Sequence, residues 1–66
     1  MSVARVTEIT AASTKSFEDA VNVGLSKANE TLDNIEGAWV KDMKVKVSDG
    51  RDSEYRVNLK LSFVLR

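Results

Sequence analysis

Two side chains, Trp39 and Arg56, are the best placed to do chemistry in a chain of 66 residues that has no histidine and no cysteine. The single tryptophan offers either a large apolar anchor for an interface or a flat face on which a planar ligand can stack. The guanidinium of Arg56 can stack on an aromatic ring or hold an anionic group. Catalytic constellations are missing. Without histidine or cysteine the commonest general base and the thiol nucleophile are gone, and no GxSxG, Walker A or GxGxxG motif is present. No enzyme is expected. Thiolate zinc sites are excluded, so a metal would have to be a hard ion such as calcium or magnesium held by oxygen. The stretch "DGRDSE", Asp49 to Glu54, is rich in such oxygens, but its spacing does not match an EF-hand loop, and it reads as a solvated hairpin turn.

Ten basic and ten acidic residues give zero formal net charge, which provides no basic footprint for nucleic acid. No signal-like apolar run opens the chain, and no stretch approaches the roughly 20 apolar residues of a membrane span. These features predict a cytoplasmic protein with no nucleic-acid or membrane partner. One domain over 1–66 is expected. A chain of this size buries only about 60% of its unfolded surface, and it lacks disulfides. Association with copies of itself is the expected source of extra stability.

The elements that must position Trp39 and Arg56 follow from periodicity. "VARVTEIT" alternates in the manner of a strand from about Val3 to Thr10, and Ser13 is a plausible N-cap for the helix that follows. Phe17, Ala20, Val21, Gly24, Leu25, Ala28, Leu32 and Ile35 are spaced by three or four, forming one stripe of an amphipathic helix. Gly24 on that stripe costs up to about 1 kcal/mol relative to alanine, which predicts a close approach there. The helix is expected to stop near Asn34 to Gly37.

In the second strand the apolar parity changes between Ala38 and Val40 on one side and Met43, Val45 and Val47 on the other. That change predicts a bulge or bend near Lys41 to Asp42. "SDGRDS", Ser48 to Ser53, is a turn with Asp49-Gly50 at its heart. The final run alternates most cleanly, with Tyr55, Val57, Leu59, Leu61, Phe63 and Leu65 facing a core and Arg56, Asn58, Lys60, Ser62, Val64 and Arg66 opposed to them. The order strand, helix, strand, strand makes an α+β domain, a β-α-β-β arrangement in which a three-stranded antiparallel sheet covers one helix. Trp39 shares parity with Gly37 and Lys41 and so points away from the helix. Arg56, on the polar face of the last strand, is expected to approach the region from Lys41 to Met43 across the hairpin.

The first strand, the small-residue turn before "SFEDAV", the helix segment ending "ETLDNI" and the closing "EYRVNLKLSFVLR" together resemble a dodecin over nearly the whole chain. The resemblance implies a sheet wrapped around the helix, twelve copies in a hollow shell, and storage or buffering of flavins such as riboflavin or FMN. In flavin-binding members the ring stacks on a tryptophan early in the second strand and meets a glutamine in the third. Aligning "ETLDNI" places Gly37 at the tryptophan position and Trp39 two residues later, about 7 Å along a strand; "EYR" places Arg56 at the glutamine position. The implied ligand-binding set is therefore Trp39, Gly37 and Arg56, with altered geometry. The same two changes are similar to a calcium-binding branch of the family, which implies an alternative: a structural shell without flavin, stabilised by calcium. Glu8, Glu36 and Asp42 are the acidic residues that could meet across subunits in such a shell.

Overall fold

The computed structural model describes residues 3–65, with Asp52 described by its backbone alone. Arg66, the last of the expected polar-face positions, lies outside the described residues. The chain runs β1 (Val3–Ser13), α1 (Phe17–Ala28), β2 (Ile35–Ser48) and β3 (Arg51–Leu65). Its sheet has the order β1-β3-β2, with both neighbours antiparallel to β3. The β-α-β-β architecture expected from periodicity is therefore the observed one. The strand with the cleanest alternation is the central one, paired along both edges and covered on one face by the helix. Val57, Leu59 and Leu61 accordingly form the deepest part of the core, the two leucines being 0% exposed.

The helix begins where the hydrogen bonding dictates, three residues after the expected cap. Ser16, in extended conformation, is the N-cap, and its hydroxyl accepts from the Asp19 backbone N–H at 2.9 Å. Ser13 instead ends β1 opposite Tyr55. Its hydroxyl accepts from the Lys15 N–H at 2.9 Å and donates to the Asp19 carboxylate. The expectation for Ser13 fails because β1 continues past Thr10, pairing Ala11, Ala12 and Ser13 with Val57, Arg56 and Tyr55. Phe17 fixes the start of the helix with an edge-to-face contact on Tyr55, ring centroids 5.0 Å apart.

The far end also differs from expectation. Helix α1 stops at Ala28, capped by Asn29, rather than near Asn34. Leu32 and Ile35 keep their places against the core, but they arrive there through a turn in which the Leu32 N–H donates to the Ala28 carbonyl at 2.9 Å. The reason is tertiary: Ile35 is already committed to β2, opposite Phe63, and Asn34 takes a left-handed φ of 59° to swing the chain into that strand. A stripe spaced by three and four cannot distinguish a continuing helix from a turn that returns side chains to the same core.

Gly24 faces β1. A Cβ built there would lie 2.9 Å from the Ala11 Cβ and 3.2 Å from Leu59 Cδ1. The Ala11 methyl is fixed to the backbone of a paired strand and cannot rotate away. Gly24→Ala gains about 1 kcal/mol of helix propensity but forces overpacking that costs about 1–3 kcal/mol. A net loss of about 1 kcal/mol is expected, read as a lower urea midpoint; a raised midpoint would show that the helix can ride outward freely.

Strand β2 carries the expected bulge, with a register shift between Val40 and Asp42. The extra residue restores parity, so Ala38 and Val40 and then Met43 and Val45 face the same side as Leu61, Leu59, Val57 and Tyr55. Two further shifts occur, between Ile35 and Gly37 and between Lys46 and Val47. The connecting turn is tighter than expected. Ser48 pairs with Arg51, and Asp49 and Gly50 have φ of 52° and 75°, the pattern of a two-residue type I′ hairpin. Residues Arg51 to Ser53 thus belong to β3.

Helix α1 packs on β1 and β3, leaving the helix-side row of β2 uncovered. Met43 is 53% exposed and Val47 is 64% exposed, with Val40 and Val45 also open. The hairpin forms an arm in a molecule measuring 51 × 19 × 14 Å. Among the described residues no helix is long and apolar enough to cross a membrane.

Candidate functional site

On the face of the sheet opposite the helix, Trp39 stands directly across from Lys60 of β3. The indole is 67% exposed, in keeping with the outward orientation read from parity. The Lys60 ammonium lies 5.6 Å from the centroid of the ring, in cation–π contact. Gly37 sits two residues earlier, opposite Ser62, and a Cβ there would come within 2.9 Å of the Ser62 hydroxyl. The absence of a side chain at Gly37 is what lets that hydroxyl approach β2. These residues, with Val6 from β1, line a shallow pocket of about 420 Å³ beside the indole. That volume is in the range of small-molecule sites.

A polar lattice continues down the same face. Lys41, the bulged residue, reaches over β3 to the Glu8 carboxylate at 3.0 Å. Below it Thr10 donates to Asn58 at 2.8 Å, and the Asn58 amide donates to Asp42 at 3.1 Å. Arg56 lies further along, opposite Lys44, where its Nε donates to Glu54 at 2.9 Å. Four residues of strand separate Arg56 from Lys60, about 13 Å at the usual rise. One chain thus brings Trp39 and Gly37 together and leaves Arg56 on the arm, next to the region expected for it but away from the indole.

Among the described residues no three carboxylates converge on a point that could hold a metal ion. Glu8 is engaged by Lys41 and Asp42 by Asn58, while Glu36 is exposed. A larger groove of about 710 Å³ runs between α1 and the open edge of β1, past Ile9, Ala11, Val23, Lys27 and Thr31. It carries no aromatic platform and lies across the sheet from Trp39.

Lys60, Ser62 and Val6 are site residues that sequence reasoning did not single out. The signal for the first two was present: they share the outward parity of β3 with Arg56. Placing them beside Trp39 required the two-residue turn and the net effect of the bulges, neither of which alternation alone supplies.

A sheet with its helix on one side and an open indole in a shallow pocket on the other defines a small α+β domain of the ligand-binding kind. The dodecin family model matches residues 3–66, and the chain belongs to that family. Solved structures agree. The dodecin of Streptomyces davaonensis is 28% identical with a TM-score of 0.94, over 98% of this chain and 96% of that one. The dodecin of Streptomyces coelicolor is 29% identical with a TM-score of 0.95, over 98% and 93%. The calcium dodecin of Mycobacterium tuberculosis, described as a calcium-chelating antigen, is 30% identical with a TM-score of 0.85, over 97% and 91%. No match was found among curated protein sequences.

Proposed function

We propose that this chain is a cytoplasmic, homododecameric storage protein that binds a flat small molecule, with riboflavin or FMN as the leading ligand, and that it does not act as an enzyme. The observation that carries the reading is the open indole of Trp39 beside a pocket of about 420 Å³. The residues present fit a planar ring: Trp39 supplies a stacking face, Ser62 a hydroxyl beside it, and Gly37 the room between the strands. Self-association is supported by the uncovered apolar row of β2, which the chain's own helix does not reach. A role for Arg56 at the same ring requires a neighbouring copy, because within one chain it is held on the arm by Glu54.

The test is a riboflavin titration followed by flavin fluorescence, which stacking on an indole quenches. Saturable quenching at micromolar concentration or below is the expected result. No quenching by riboflavin or by FMN would sink the flavin reading. The second reading, a calcium-stabilised shell in which Trp39 packs between subunits, would then stand. It is favoured by the likeness to the calcium dodecin, and it requires carboxylates such as Glu8, Glu36 and Asp42 to meet across copies.

A further inference from the structure

The charges around the indole are unevenly spent. Glu8 faces Lys60 across the β1–β3 pairing, yet its carboxylate is taken by Lys41, which crosses over from β2 at 3.0 Å. Arg56 is likewise matched by Glu54. Among the described residues, the lining of the Trp39 pocket contains one cation, Lys60, and no acidic residue. The Lys60 ammonium lies against the face of the indole. A neutral ring seated on that face has to push the ammonium aside. An anionic ring, or one carrying an anionic tether, keeps the lysine as a partner, since charge-assisted hydrogen bonds to phosphate or carboxylate are stronger than neutral ones.

Resting on the flavin reading above, we infer that Lys60 is a specificity-determining residue that makes the Trp39 site select planar ligands bearing a negative charge over their neutral counterparts. FMN and riboflavin share one ring and differ by a phosphate, so they isolate the effect. The chain should bind FMN about three- to tenfold more tightly than riboflavin at low salt. That preference should shrink as salt rises, because the lysine is only half-buried and salt screens exposed charges.

The experiment is a pair of quenching titrations, FMN and riboflavin, on the native chain, Lys60→Met and Lys60→Arg, each at low and high salt. Methionine keeps an unbranched apolar stem and removes the charge; arginine keeps the charge and stacks well on an aromatic face. The ratio of the two affinities should fall to about one in Lys60→Met and be retained in Lys60→Arg. Equal binding of the two ligands by the native chain, or an unchanged ratio in Lys60→Met, would overturn the inference while leaving flavin binding in place. Failure of both ligands to quench would overturn the flavin reading and this inference with it.

Discussion

On the proposed flavin reading, Trp39→Ala should weaken riboflavin binding by about 5- to 150-fold while the fold and the proposed assembly persist. Stacking of a flat heterocycle on a protein aromatic is worth about 1–3 kcal/mol by alanine substitution, and each 1.4 kcal/mol is about tenfold in affinity. The substitution removes the one aromatic ring among the described residues that line the pocket, whose other members are Val6, Gly37, Ala38, Lys60, Leu61 and Ser62. It leaves the core intact, because Trp39 is on the far face of the sheet from Leu59 and Leu61 and is mostly exposed already. The two readings of the site separate here. Quenching lost with an unchanged sedimentation profile supports stacking. Dissociation of the assembly, with or without a change in quenching, assigns Trp39 to the contact between subunits and sinks the prediction.

Leu59→Ala is the substitution expected to damage the fold most. Leu59 is fully buried at the middle of the central strand, opposite Ile9 of β1 and Val40 of β2, and its Cδ1 reaches to 3.2 Å from where a Gly24 Cβ would stand. Truncations of this kind cost about 2–5 kcal/mol. For a chain of this size the whole stability is on the order of 3–10 kcal/mol, so a large share of it is at stake. A fall in Tm of at least about 10 °C is expected by circular dichroism at fixed protein concentration. The concentration must be held because the proposed association of copies would add its own stabilisation. A fall of less than about 3 °C would mean that the helix does not depend on this contact.

What could be read from the sequence was what alternation and spacing encode. The helix stripe, the outward indole, the bulge between Val40 and Asp42 and the two faces of β3 all follow from which residues are apolar at which parity. What escaped depended on distant pairing. Ser13 has the chemistry of a cap as much as Ser16 does, and only the pairing of Ser13 with Tyr55 decides between them. Leu32 and Ile35 fit a helical stripe and also fit a turn, and the pairing of Ile35 with Phe63 selects the turn. Lys60 entered the site by the same route. Its type and parity were visible, but its neighbour across the sheet was set by one tight turn and the bulges, whose combined count fixes which side chain meets the indole.

The placement of β3 at the centre of the sheet bears on how the chain is made. Strands β1 and β2 do not pair with each other; each pairs only with β3. Because β3 is synthesised last of the three, the first two strands leave the ribosome with no partner in their own chain. The hairpin with β2 then closes locally across Asp49 and Gly50, whereas β1 must be recruited from across the intervening helix and β2, the slower step because its loop is long. The nascent chain therefore carries an unsheltered β-forming segment, Ile35 to Ser48, until β3 has emerged to pair with it, and the sheet closes around its latest-made strand rather than its earliest.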